Sequence, residues 1–200
     1  VFGELDDNLV YEVLAMRSIP MHGPRFCEYV GFGIGSVFHI NEDDFGLKVW
    51  EMANYDNIIA IAISFSIAKR FHLLEATYKK YLLNKAVKYY CYAAGIGKGI
   101  ACTLASLDKE LRKNVMKTAK TDDTFASELG FCFGKFFILI DRNLQNEIWN
   151  YAKDNPPFAA FLCYELGKSL PSIRKNIQVE MFSMTRSNEQ LSKCLGFGIG

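Results

Sequence analysis

The sequence predicts an all-α fold, an α–α superhelix (solenoid) of about six 33-residue helix–turn–helix repeats, taken as right-handed. Three observations lead there. Small residues recur in triplets spaced four by four, apolar residues recur at helical spacing around them, and both patterns repeat every 33 residues along the 200-residue chain. The triplets are Cys27, Gly31, Gly35; Ala60, Ser64, Ala68; Ala93, Gly97, Ala101; Ala126, Gly130, Gly134; Ala159, Cys163, Gly167; and Ser192, Gly196, Gly200. A period in this range marks a supersecondary unit stacked on itself, not a closed globule.

The copies fall at about 1–35, 36–68, 69–101, 102–134, 135–167 and 168–200, making one repeat domain over 1–200. The clearest is Lys135 to Gly167. Phe137, Ile140, Leu144, Ile148, Trp149 and Ala152 are spaced by three and four, the pattern of an amphipathic helix A. Asn155 then suits an N-cap, and Pro156 suits the first helical position, where no N–H is needed. Phe158, Leu162 and Leu166 begin helix B.

The other helices A follow the same template. They carry Phe2, Leu5, Leu9, Val13 and Leu14; Phe38, Phe45, Val49, Trp50 and Ala53; Phe71, Leu74, Tyr78, Leu82, Leu83 and Ala86; Leu104, Leu107, Leu111, Val115, Met116 and Ala119; and Leu170, Ile173, Ile177, Met181, Phe182 and Thr185. The first copy needs about three inserted residues near Met21-His22-Gly23. Pro171 is expected near the start of the last helix A, where proline is tolerated.

Helix B carries two adjacent stripes. Large residues such as Phe26, Val30 and Ile34, or Leu191, Leu195 and Ile199, form one, and the small triplets form the other. Glycine inside a helix costs roughly 1 kcal/mol relative to alanine. Its recurrence implies that a neighbouring helix approaches closely there, near the short end of the usual spacing of about 8–10 Å.

Composition narrows the function classes. Half the residues are hydrophobic, enough for a continuous core. No signal peptide stands at the start, and the longest apolar run, Ile58 to Ala68, is too short to cross a bilayer. The six cysteines (Cys27, Cys91, Cys102, Cys132, Cys163 and Cys194) form no CxxC pair. Cys27, Cys132 and Cys163 fall where other copies hold Gly, Ala or Ser, which points to reduced thiols and a cytoplasmic setting.

The net charge of +1 is unevenly spread. The second copy, with Glu42, Asp43, Asp44, Glu51 and Asp56, carries −4. The third, with Lys69, Arg70, Lys79, Lys80, Lys85, Lys88 and Lys98, carries +6. Such a switch suits pairing across the repeat boundary, or a basic patch for an acidic partner or nucleic acid.

Several motifs imitate chemistry. Gly31-Phe-Gly33-Ile-Gly35 and Gly95-Ile-Gly97-Lys98-Gly99 look like phosphate loops. They lack the preceding strand and the G-x-x-x-x-G-K-[ST] spacing, and they align with Ser64, Ser66 and Ala68. His39 and His72 share a repeat position, but the matching places are Ala105, Ile138 and Pro171, so a metal set is missing. Trp50 and Trp149 share another position and read as core. No nucleophile–base arrangement stands out.

Leu129-Gly130 followed by Phe133, and Leu195-Gly196 followed by Ile199, resemble the Leu-Gly-x-x-Tyr segment of tetratricopeptide repeats. The array as a whole resembles the tetratricopeptide, HEAT and Sel1-like class of helix-pair repeats. The alanine expected twelve residues after that glycine is absent, as is the Thr-Pro-Leu-His of ankyrin repeats. The wording FAxxLGxxxG, LDxxLxxxV and IWxxAxxN is similar to repeat arrays C-terminal to the ATPase of STAND-type signalling proteins. That resemblance implies a sensor or partner-binding module, with the ATPase elsewhere in a longer protein.

The sequence therefore points to a non-catalytic scaffold for a protein or peptide, with no cofactor, no metal and no membrane span. The chain reads as a fragment of a longer one, or one whose bare ends associate into an oligomer. The alternative is nucleic-acid binding. Lys79, Lys80, Lys85, Arg112 and Lys113 are the candidate partner-binding residues, because they recur on the polar side of helix A in consecutive copies.

Overall fold

The structure, a computed structural model, describes Glu12, residues 24–37 and residues 56–200. Helix A of the first two copies, the inserted residues near His22, His39, Trp50 and most of the acidic segment lie outside the described residues. All regular structure among the described residues is helical. The chain divides into two compact units, Val1–Thr103 and Leu104–Gly200.

The first unit contains α1 (Pro24–Val37), α2 (Asn57–Ala68), α3 (Ala76–Ala86) and α4 (Tyr90–Thr103). The second contains α5 (Lys109–Ala119), α6 (Asp123–Phe136), α7 (Arg142–Lys153), α8 (Pro156–Lys168), α9 (Lys175–Arg186) and α10 (Glu189–Ile199). The predicted period is carried into the helices themselves. The B helices begin at 24, 57, 90, 123, 156 and 189, and the described A helices at 76, 109, 142 and 175, each series advancing by 33. Successive B helices pack side by side within each unit: α1 on α2 and α2 on α4, then α6 on α8 and α8 on α10. The A helices α3, α5, α7 and α9 pack on α4, α6, α8 and α10 respectively.

Capping sets the helix starts. Asn155 accepts from the Phe158 amide at 3.1 Å, and Pro156 opens α8, as its sequence position predicts. The same repeat position is filled by Asp56, Asp122 and Asn188, whose side chains accept from the amides of Ile59, Phe125 and Leu191. Asp108 and Asp141 cap α5 and α7 in the same way.

These caps correct one expectation. Phe71, Leu104, Phe137 and Leu170 do not begin helix A. They open short 3₁₀ turns, Phe71–Leu73, Leu104–Ser106, Phe137–Leu139 and Leu170–Ser172, and the α-helix starts only after an extended residue and a cap. Pro171 sits inside such a turn, ahead of α9. The turn still buries its first residue in three copies, Phe71, Leu104 and Phe137, which is why the apolar spacing continues through it.

One helix-A position holds each turn in place. The Gln145 amide nitrogen donates to the carbonyls of Phe137 (2.8 Å) and Ile140 (3.1 Å). Gln178 does the same to Leu170 (2.9 Å) and Ile173 (2.6 Å). In the earlier copies Lys79 reaches the His72 carbonyl and Arg112 the Leu107 carbonyl. Each long donor satisfies carbonyls that the turn leaves outside a helical ladder.

The small stripe sits at the contacts between B helices. A Cβ added at Gly31 would lie 2.6 Å from the Ala62 Cβ and 3.0 Å from the Ile59 carbonyl oxygen. One added at Gly35 would lie 2.6 Å from Ser66 Cβ and 2.7 Å from the Ile63 oxygen. Gly130 would run into the Phe158 carbonyl, and Gly167 would meet the Leu195 oxygen at 2.9 Å. No glycine among the described residues has a positive φ, so these glycines serve through their missing side chain, not their backbone freedom. A second small position answers the first at three of these contacts, Ala62 and Ser66 on α2, Gly95 and Gly99 on α4 and Gly198 on α10, whereas Gly130 and Gly134 of α6 meet the Phe158 backbone and the Glu165 side chain on α8.

Polar ties join the A helices of the second unit. Arg112 forms an ion pair with Glu147 at 3.1 Å, and the Tyr151 hydroxyl donates to the Met116 carbonyl at 2.7 Å. The Trp149 indole N–H donates to Glu180 at 2.7 Å while its ring is buried, as its repeat position predicts. Glu180 also meets Lys153 at 2.6 Å.

Candidate partner-binding face

The five predicted basic residues fall in two different environments. Lys79, Lys80 and Lys85 lie on α3 of the first unit; Arg112 and Lys113 lie on α5 of the second. Lys80 and Lys113 share a repeat position and are exposed. Lys79 and Arg112 share the next position, and both are engaged within the fold on turn carbonyls, Arg112 also on Glu147. Lys85 is half-buried, its ammonium 5.3–5.6 Å from the ring centres of Tyr81, Tyr89 and Tyr92. Desolvation of the buried Tyr92 raises its phenol well above the ordinary value. The helix-A row is thus mixed: two exposed ammonium groups, and three cations with structural partners.

A second row lies on helix B, half-exposed in five copies and exposed in the sixth. It holds Phe32, Phe65, Lys98, Phe131, Tyr164 and Phe197, each one residue after the middle member of the small triplet. Packing the small stripe against a neighbour turns this next position outward on helix B. In the first unit the Phe32 and Phe65 rings meet edge-on at 5.6 Å. In the second, Phe131 and Tyr164 lie nearly parallel, 15° apart with centres 6.3 Å apart. Phe197 is 76% exposed.

Lysines one turn later lie over these rings. Lys69 sits 5.5 Å from Phe65, Lys135 4.2 Å from Phe131, and Lys168 4.1 Å from Tyr164 and 5.9 Å from Phe131. Lys135, Phe131, Lys168 and Tyr164 thereby alternate cation and ring across α6 and α8. Each close cation–ring contact contributes about 0.5–1 kcal/mol at an exposed site. Glu165 bonds Lys168 at 2.6 Å, and this hydrogen bond raises the Lys168 pKa.

Periodic reading of the small stripe alone passes over this row. Its signal is present one column further on, where five of six residues are aromatic. Two of its residues, Phe32 and Lys98, lie inside the glycine-rich runs that imitate phosphate loops; the structure places both runs within helices, α1 and α4.

Among the described residues no group of three or more His, Cys, Asp or Glu side chains gathers to hold a metal, and His72 is exposed on its 3₁₀ turn. No helix among them is long and apolar enough to cross a membrane. Comparison with protein-family models, curated proteins and solved structures returned no match.

Proposed function

We propose that the chain is an α-solenoid of 33-residue helix pairs that serves as a non-catalytic scaffold for a protein or peptide partner. The partner lies along the outward face of the B helices. The constant advance of the helix starts and the repeated glycine contacts within each unit support the solenoid reading.

One observation carries the binding reading: the row of half-exposed aromatic rings with lysines set over them, repeated at one position of the array. Rings offer large apolar contact area with little side-chain entropy to lose, and ammonium groups beside them meet backbone carbonyls or carboxylates. An extended peptide presents apolar side chains and carbonyls in alternation, which matches such a surface. The resemblance of the array to those of STAND-type signalling proteins supports reading this role as that of a sensor module of a larger protein.

The test is affinity capture from the source cell with the wild-type chain and with the double variant Phe131→Ala/Tyr164→Ala. A genuine partner is lost from the variant while circular dichroism stays helical. Equal recovery on both baits would refute the face.

The second reading, nucleic-acid binding, is favoured by the +6 charge of the third copy and the exposed Lys80 and Lys113. Lysines beside rings also suit stacked bases and phosphates. Binding of a labelled single-stranded oligonucleotide that falls steeply with salt would support it; no binding at low salt removes it.

A further inference from the structure

We propose that Cys163 of α8 and Cys194 of α10 form a redox-active pair whose disulfide staples the two helices together. The inference rests on register. In the equivalent pair of the first two B helices, a Cβ at Gly31 falls 2.6 Å from the Cβ of Ala62. In the next, a Cβ at Gly95 runs into the Ser64 hydroxyl. Cys163 stands four repeats after Gly31 and three after Ser64, and Cys194 stands equally after Ala62 and Gly95.

One turn further along the same two helices, Gly167 and Gly198 touch backbone to backbone, with an added Cβ at Gly167 3.0 Å from the Gly198 Cα. Helices that meet there carry the residues four positions earlier, Cys163 and Cys194, into the same contact. A disulfide needs Cβ atoms about 3.5–4.5 Å apart. Both cysteines are free thiols. No other position pair of the repeat places two cysteines across a contact of the second unit.

Their exposures suit sequential roles. Cys194 is half-exposed and Cys163 is fully buried. Burial pushes the Cys163 thiol up to about 12, and the neighbouring Cys194 sulfur adds to the rise. Burial raises Cys194 as well.

With a small disulfide such as oxidised glutathione as oxidant, the Cys194 thiolate attacks one sulfur. The S–S bond of the oxidant breaks, a mixed disulfide forms on Cys194, and one glutathione leaves as thiolate and takes up a proton. The Cys163 sulfur then attacks the Cys194 Sγ, and the second glutathione leaves as a thiolate that takes up the Cys163 proton. Two protein thiols are oxidised to one disulfide, and one oxidised glutathione is reduced to two thiols. Cys194 opens the exchange because solvent reaches it; Cys163 resolves it.

The test treats the intact folded chain with oxidised glutathione, blocks remaining thiols, and maps disulfides by mass spectrometry of the digest. The expected product joins Cys163 to Cys194, with both thiols lost and the melting temperature raised. Cys163→Ala stops the reaction at a glutathione adduct on Cys194. Cys194→Ala leaves Cys163 unmodified. Other copies hold Gly or Ser at the Cys163 position and tolerate Ala62 and Gly95 at the Cys194 position, and alanine is smaller than cysteine, so both variants keep the fold. In the wild type, a glutathione adduct on Cys194 that never closes, a Cys194 that does not react, or a Cys194 bond to another cysteine would each overturn the pairing.

Discussion

Adding one methyl group at Gly130 and one at Gly196 should change stability in opposite directions, although both glycines occupy the same triplet position. At Gly130 a Cβ collides with the Phe158 carbonyl and lies 3.1 Å from the Phe158 Cα, so α8 has to move away from α6. Overpacking of this kind costs about 1–3 kcal/mol. Replacing helical glycine by alanine returns about 1 kcal/mol. Gly130→Ala therefore nets a destabilisation of about 0–2 kcal/mol, and Gly130→Leu more.

Gly196 has no atom within 4 Å of its Cβ position. There the helical gain stands alone, and Gly196→Ala stabilises by about 0.5–1 kcal/mol. At this chain length 1 kcal/mol corresponds to a shift of about 2–4 °C in melting temperature. Thermal melts followed by circular dichroism read both changes against the wild type. If Gly130→Ala melts as high as Gly196→Ala, the glycine stripe is not a close-packing device and the reasoning fails.

Other substitutions probe the turns, caps and polar ties. Gln145→Ala leaves the Phe137 and Ile140 carbonyls without their donor, a loss of about 1–3 kcal/mol measurable by urea unfolding; an unchanged midpoint would remove the latch role. Asp122→Ala removes the α6 cap for about 1 kcal/mol, whereas Asp122→Asn retains most of it. Glu180 is held below the ordinary carboxylate range, first by its hydrogen bond to Lys153 and then by Trp149. A depressed pKa contributes stability above the unfolded-state value and loses it as pH falls through the lowered one. Glu180→Gln should flatten that acid-side decline, and parallel pH titrations of the two melting temperatures check it.

Much of the local structure is legible because it depends on near neighbours in the chain. Asn155 and Pro156 announce the start of α8, Ile148 and Trp149 announce a buried face, and the triplets announce where helices meet. Periodicity predicts too long a helix A for a physical reason. Phe137 and Ile140 keep the apolar spacing through the 3₁₀ turn, so periodicity alone does not register the change of geometry. The donor at Lys79, Arg112, Gln145 and Gln178 escaped because its identity changes between copies while its reach does not.

The sequence by itself determined the helical class, the 33-residue period and the places reserved for small side chains, since hydrophobic spacing and capping act within a few residues. Only the tertiary structure decided which side of each helix B stays open. A ring at 131 or 164 is core or surface according to how its helix is rotated against its neighbours, and closure of the small stripe sets that rotation. The same rotation set Lys135 and Lys168 over rings, while the approach of α5 and α7 paired Arg112 with Glu147.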